Sequence, residues 1–401
     1  MGGKKTNIGL KIQNAENAST ERTLNVDNTP HDTKIPQNIK QVPKKLIIPI
    51  AFSIVALIAV GIGIFIYVNN KTPGNTDKSL QPDQAATSAI TNTPVQEVKF
   101  AGRYIDIHAH INTSGMSISE IIKNMDTEGI DKMVIMKPPA SVPVDTPQSD
   151  FAIPDAASQY PNRFAVLYGG EAIAMLERAA TSGKYSQAEE DQFISLLEKE
   201  MKSGTYCGIG EIGLRHYVPT SGKSNVAYDL TIPGNHPWMF IMSDIAAKYN
   251  MPIDVHMEAT AETIKGLEKL LDHNVNTKII WDHTGWSHTV NKTAYYSEMA
   301  TAELMGQLME KHPNLYSSIK MRKENQNSPI YIFNSNSEIK PEWLAIFTKY
   351  PDRFMMGSDI KPGIDQEQFP IIKDHRKFLS QLPSEILKKI ERENAEKIFK
   401  L

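Results

Sequence analysis

The sequence predicts an α/β chain built around an eight-stranded (β/α)8 barrel of the TIM type, behind a single transmembrane helix and a disordered N-terminal segment. Three observations lead to that expectation. One uncharged apolar run near the N-terminus is long enough to cross a bilayer. From about Phe100 onward, short β-rich runs alternate repeatedly with helix-compatible stretches. Histidines and carboxylates then fall at the C-terminal ends of those runs, which is where a β/α barrel keeps its chemistry.

Bulk composition sets the outer bounds. At 401 residues, 40% of them hydrophobic and 22% charged, the chain can bury a substantial core. A formal net charge of −3 gives no electrostatic case for nucleic acid as a partner. The single cysteine, Cys207, rules out an intrachain disulfide framework.

Residues 1–45 are rich in Asn, Thr, Lys and Gln without a hydrophobic period, and read as a disordered tail. Residues 46–68, "LIIPIAFSIVALIAVGIGIFIYV", carry no charge. As a helix they span ~34 Å, enough for the ~30 Å hydrocarbon core of a bilayer. A cleavable signal would have a shorter apolar core and a small-residue cleavage site, so a retained span is expected. Lys34, Lys40, Lys44 and Lys45 precede it, against Lys71 and Lys78 after it. That bias favours a cytoplasmic tail, the lipid bilayer as a partner, and an extracytoplasmic C-terminal domain. Residues 69–99, with their Pro, Thr, Ser, Asn and Gln, read as a flexible stalk.

The barrel is expected over residues 100–401. Its strands are "YIDIHAH" (104–110), "KMVIMK" (132–137), "RFAVLY" (163–168), "YCGIGEI" (206–212), "PIDVHM" (252–257), "KIIWDH" (278–283), "NLYSSI" (314–319) and "RFMMGS" (353–358). Helices are expected over 118–128, 188–202, 238–249, 260–272, 299–311 and 342–349, and within 370–398. Eight strands in a domain of this length favour a closed barrel over an open doubly wound sheet. "YPNRF" (160–164) and "YPDRF" (350–354) each read as a helix stop, a turn and a strand start.

The first strand ends in His108 and His110, the fourth in Glu211, the fifth in His256, the sixth in His283 and the eighth in Asp359. All six are types that ligate divalent metals. Taken singly, a histidine here is more simply a hydrogen-bonded core residue. Four of the eleven histidines at strand ends, with two carboxylates, are not a random scatter. Side chains alternate along a strand, so His108 and His110 are expected on one inward face. Asp106 is expected deeper on that face, in place to hydrogen-bond a ligand histidine.

These stretches resemble the metal-dependent amidohydrolase superfamily. The likeness is carried by His-Ala-His (108–110), "GIGEIGL" (208–214), "DVHME" (254–258), "WDHTG" (281–285), "RFMMGSD" (353–359) and the closing "NAEKIF" (394–399). It spans about residues 100–401. The glutamate of "GEIGL" is similar to TatD-type hydrolases, and "PDRFMMGSD" is closer to the amidohydrolase-2 branch, which includes decarboxylases. The resemblance implies one or two divalent ions, zinc first and manganese as the alternative. In the two-ion form His108, His110 and Asp359 hold one ion and His256 and His283 the other. Glu211 bridges them where other members use a carboxylated lysine. In one-ion members the strand-six histidine contacts substrate instead.

The activity so implied is hydrolysis of an ester, lactone, amide or phosphoester in a small-molecule substrate. The ion activates a water and Asp359 accepts its proton. Decarboxylation on the same scaffold and a non-catalytic surface binding module are the alternatives. Arg215 and His216 after strand four are candidate contacts for an anionic group, although Arg215 reads equally as a surface charge. TatD-type members usually carry aspartate at that place, which argues against their nucleic-acid substrates. Trp286 and His288 after strand six, and Lys320 after strand seven, are further candidates for the substrate mouth. No base stands beside Cys207 in the sequence, so it is assigned to packing.

Overall fold

The alternating strand and helix signals resolve into a ring of parallel strands. The computed structural model describes residues 102–113, 115–139, 153–216, 229–285, 289–291, 294–295, 300–321, 331–363 and 370–401. The strands of the ring are β1 (Tyr104–Ala109), β2 (Ile130–Ile135), β3 (Phe164–Tyr168) and β4 (Gly208–His216). A two-residue strand, β5 (Leu230–Thr231), pairs antiparallel with the end of β4. The ring continues through β6 (Ile253–Met257) and β7 (Ile279–Trp281). A separate hairpin, β8 (Thr289–Asn291) and β9 (Ala294–Tyr295), precedes β10 (Leu315–Ile319) and β11 (Phe354–Met356). Pairing runs β1–β2–β3–β4–β6–β7–β10–β11 and returns to β1, every step parallel. All eight expected strands are present in a closed barrel.

Helices α1 (Ile118–Glu128), α2 (Ile153–Gln159), α3 (Glu171–Ser182), α4 (Gln187–Lys202), α5 (Pro237–Tyr249) and α6 (Ala261–His273) fall between the strands. They are followed by α7 (Ala302–Lys311), α8 (Pro341–Lys349), α9 (Pro370–Leu379), α10 (Ser384–Lys388) and α11 (Asn394–Phe399). Local chemistry starts the clearest of them. Ser117 with Glu120, Ser186 with Glu189, and Thr260 with Thr263 form reciprocal N-terminal caps on α1, α4 and α6. Helices α2 and α3 were not expected. Gly170 precedes α3 without a side-chain cap, so the sequence carries no start signal there.

Two apolar layers hold the barrel together. Ile105, Ile107, Val134, Leu167, Ile280 and Met355 pack as one cluster with Ile398 and Phe399 of α11. The larger cluster joins the other strand faces to the helices, through residues such as Met133, Val255 and Trp281 against Leu197, Leu267 and Trp343. Each such side chain, fully buried, contributes roughly 1.5–3 kcal/mol. The two "RF" turns have a matching role. Arg163 donates to Asp131 O at 2.8 Å and Ile130 O at 3.1 Å, and Arg353 donates to Leu315 O at 3.1 Å. Each guanidinium thus ties a strand start to its neighbour's, at the end of the barrel opposite the histidines.

The expected tail, transmembrane helix and stalk lie outside the described residues. Among the described residues no helix is long and apolar enough to cross a membrane.

Candidate metal centre

A break in alternation at β1 aims the first ligand candidates. Ile105 and Ile107 both belong to the interior cluster, so strict alternation would turn His108 away from it. The pairing of β1 with β2 shifts register between Asp106 and Ala109, and this bulge brings His108 inward directly after Ile107. The same shift corrects the expectation for Asp106. It does not bond a ligand imidazole. Its Oδ1 accepts the backbone N–H groups of His108 (3.2 Å) and Ser358 (2.9 Å), and its Oδ2 accepts the Ser358 hydroxyl. Asp106 therefore staples β1 to the end of β11. Burial pushes its carboxyl up to about 6, against the Ser358 bonds that lower it.

Two glycines let the strands approach beneath the site. A Cβ on Gly210 would lie 2.7 Å from Asp254 Cβ, and one on Gly357 would lie 2.8 Å from Ser318 Cβ and 3.2 Å from His108 Cβ. Past the strand ends, His283 (φ 61°), Thr284 (φ 53°) and Asp359 (φ 51°) adopt left-handed backbone. A non-glycine residue there costs roughly 1–3 kcal/mol and persists only where its surroundings hold it. Ser318 Oγ accepts the N–H of His283 at 2.8 Å and donates to Asp282 Oδ1 at 2.9 Å. Asp359 N–H donates to His108 O at 2.8 Å.

The six candidates converge, and all are buried. His108 Nε2 and His110 Nε2 lie 3.2 Å apart. Glu211 Oε2 is 3.5 Å from the first and 3.2 Å from the second. Asp359 Oδ1 is 4.0 Å and 3.2 Å from the same two nitrogens. On its other side, Glu211 Oε1 is 3.2 Å from His256 Nδ1. His283 stacks edge-on to His108 and His256, with ring centroids 4.9 Å and 5.4 Å away. Its Nε2 is 3.9 Å from Asp359 Oδ2.

The far nitrogens show which face of each ring points inward. His108 Nδ1 lies 3.4 Å from Asp254 Oδ1 and 3.3 Å from Asp282 Oδ1, and His110 Nδ1 is 3.0 Å from Met136 O. His256 Nε2 lies 3.6 Å from Glu258 Oε1, which also takes His216 Nδ1 at 3.0 Å. Met136 O is placed to take the proton of His110 Nδ1, and the carboxylates behind His108 and His256 stand at ion-pair distance. The Nε2 atoms of His108 and His110 then meet the oxygens of Glu211 and Asp359 at one point. Four such atoms repel one another unless positive charge, as ring protons or as a metal ion, sits between them. Tetrahedral ligands at 2.0–2.2 Å stand about 3.4 Å apart, close to the separations observed. The residues fit a divalent ion.

The titration directions mark a surplus of negative charge around the rings. Burial alone would pull His108 down, yet Asp282, Asp254 and Glu211 push it well above the ordinary imidazole value. Glu211 is held well below the carboxylate range despite its burial, by His108 first. Burial, then the Asp282 charge, pushes the carboxyl of Asp254 well up.

Three of the other candidates have more definite surroundings than the sequence shows. Lys320 Nζ donates to Asp359 Oδ2, within the centre. The Arg215 guanidinium holds Leu230 O, the Thr231 hydroxyl and Asp229, and so fastens β5 to β4. His216 stands one step removed, on Glu258, with its ring 4.6 Å from that of His256. Trp286 and His288 lie outside the described residues. Cys207 is a packing residue as expected, its thiol pushed up to about 12 by burial. Asp254, Glu258, Asp282, Ser318 and Lys361 went unremarked as site residues. Alternation about His256 would have found Asp254 and Glu258, two residues to either side.

A closed β/α barrel with imidazoles and carboxylates meeting on its C-terminal rim is the scaffold of a cation-dependent barrel enzyme. Residues 105–401 match the family described as Amidohydrolase, and the chain belongs to that family. It is a metal-dependent enzyme of the amidohydrolase superfamily. No curated protein matches the chain. Among solved structures it is similar to 5-carboxyvanillate decarboxylase from Novosphingobium aromaticivorans, complexed with manganese and a nitrobenzoic acid. That match has 15% identity, covers 76% of this chain and 99% of the other, and has a TM-score of 0.42. A 2,6-dihydroxybenzoate decarboxylase is 11% identical over 75% of this chain and all of its own, with a TM-score of 0.41. An amidohydrolase 2 from Bifidobacterium longum subsp. infantis is 11% identical over 75% and 99% of the two chains, with a TM-score of 0.37.

Proposed function

We propose that the chain is a membrane-anchored hydrolase that uses an ion-activated water to cleave an ester, lactone, amide or phosphoester bond in a small molecule. His108, His110 and Asp359 would hold one ion, His256 and His283 a second, and Glu211 would bridge them. What supports the bridging role is that the two oxygens of Glu211 face opposite ways, Oε2 toward His108 and His110 and Oε1 toward His256. A bound divalent ion supplies Lewis acidity and lowers the pKa of a water at the site. Asp359 takes up the proton released there and delivers it to the leaving group. Met136 O would keep the His110 imidazole turned with Nε2 inward, and the charges of Asp254, Asp282 and Glu258 would bias the rings of His108 and His256 toward Nε2 and Nδ1 inward, respectively. Zinc suits this mixed nitrogen and oxygen set, and manganese is the alternative.

The carrying observation is the single point on which His108, His110, Glu211 and Asp359 converge. Elemental analysis of the full-length chain is expected to find one or two divalent ions per chain. His108→Ala and Asp359→Ala are each expected to lower turnover by roughly three orders of magnitude or more with the fold retained by circular dichroism. Full activity in either variant would count against the centre. An ester, lactone, amide and phosphodiester panel reads the reaction. Carbon dioxide release from a carboxylated substrate, without hydrolysis of any panel member, would move the assignment to decarboxylation.

The membrane reading rests on the 23 uncharged apolar residues 46–68 and on the lysines that precede them.

A further inference from the structure

A second group of ligand types stands one step outside the centre. His216 ends β4, Glu258 directly follows β6, and His256 lies two residues before it on that strand. The Glu258 N–H donates to Arg215 O at 3.2 Å, and β5 pairs with Arg215 and His216, so both strand ends are held in register. Glu258 Oε1 lies 3.0 Å from His216 Nδ1 and 3.6 Å from His256 Nε2. The two rings meet edge-on with centroids 4.6 Å apart, against 5.4 Å between His256 and His283. A ligand atom from each of the three falls within 4.8 Å of the others. Glu258 and His256 are buried, whereas the His216 side chain is 15% exposed, which leaves the group one open side.

Two imidazoles and one carboxylate, with a fourth place open, are the donor set of water-binding zinc sites. Ligands of such an ion stand about 3.4 Å apart, between the two separations on Glu258. Charge favours an ion as well. Asp106, Glu211, Asp254, Glu258, Asp282 and Asp359 are all buried at or near this rim, against the ammoniums of Lys320 and Lys361. One divalent ion on His108, His110 and Asp359 leaves that set negative, and ring protons or a second ion must make up the rest. A neutral imidazole lends one lone pair, so His256 serves either the position bridged by Glu211 or this outer one. We propose, on the reading of His108, His110 and Asp359 as the seat of a first ion, that His216, Glu258 and His256 Nε2 form an outer seat for the second, held in preference to the bridged position. His256 then keeps its Nδ1 proton on Glu211 Oε1, 3.2 Å away, and the open place accepts a water or a substrate oxygen.

The test strips the full-length chain of metal and follows zinc binding by competition with a metal-sensitive dye. Wild type is expected to bind two ions. His216→Gln keeps a hydrogen-bonding group beside Glu258 but lends no imidazole lone pair. It should weaken the second ion on the order of a hundred-fold or more, beyond the loss typical of a supporting residue. His216→Asp sets a second carboxylate beside Glu258, which an ion tolerates and a mere hydrogen-bond partner does not, and should restore most of the binding. His283→Gln should leave the second ion within a few-fold of wild type. Zinc binding in His216→Gln equal to wild type would overturn the seat and leave His216 and His256 as proton donors to Glu258. Equal loss in His216→Gln and His216→Asp would overturn it too, by making His216 a support of Glu258 alone. A loss in His283→Gln as large as that in His216→Gln would return the ion to the bridged position. His108→Ala reads the first seat separately, since an unchanged ion count there sinks that reading without touching the outer seat.

Discussion

At the scale of single residues, the chemistry depends on which nitrogen each imidazole turns inward. Charge behind the ring biases that choice, and behind His256 it comes from Glu258, 3.6 Å from Nε2. Glu258 is fully buried yet held ionised, its carboxyl lowered to about 2. Burial opposes this, and His216 and His256 together overcome it. Glu258→Gln keeps the size of the side chain and removes the charge. It is expected to weaken binding of the ion proposed at His256 by roughly 10–100-fold, with the apo fold unchanged. Competition against a metal-sensitive dye measures this without reference to activity. Equal affinity in the variant would mean that His256 needs no support, or that it holds no ion.

At the scale of elements, the centre is a set of strand ends locked to one another. The β1 bulge turns His108 inward, Ser358 and Asp106 join β11 to β1, and Ser318 holds the left-handed turn at His283. Helix α9 takes part through His375, which is fully buried. Met321 N–H donates to its Nε2 at 3.4 Å, and its Nδ1 is 3.4 Å from Tyr104 Oη. It joins the turn after β10 to β1. Burial, with the Lys320 charge, lowers its pKa from 6.5 to about 3. The unfolded chain therefore binds a proton below the ordinary value that the folded chain refuses. Stability is full above that value and falls as pH drops toward the folded one. The loss attributable to this group reaches about 2 kcal/mol by pH 5. Urea titrations of the metal-free chain at pH 7 and pH 5 should show that loss in wild type and much less of it in His375→Gln. Parallel slopes for the two proteins would remove His375 from this role.

At the scale of the whole molecule, the proposed plan is a barrel tethered to a bilayer. Residues 46–68 are expected to hold the chain in the membrane fraction through an alkaline carbonate wash, which releases peripheral proteins but not a spanning helix. Protease added outside intact cells should reach the catalytic domain and leave the tail protected. Release by the wash would remove the anchor, and protection of the barrel would reverse the orientation. Neither result would touch the metal centre, whose residues all lie between 108 and 359.

The sequence by itself determined the strand count, the closed barrel and six converging side chains, because those follow from short-range period and from residue type at strand ends. "HAH", "GEIG", "DVHME" and "GSD" are legible in one dimension, since a barrel puts the end of every strand on the same rim. Only the tertiary structure decided what stands behind and beside them. Asp106 was placed on the face of His108 by strict alternation, and a bulge no local pattern announces turns His108 inward and leaves Asp106 on Ser358. Arg215 reads equally as an anion contact and as a surface charge until β5 comes back to meet its guanidinium, and nothing in the sequence sets Lys361 beside Asp359. Charge pairing depends on distances of a few ångströms between residues far apart along the chain, and periodicity carries no information about those.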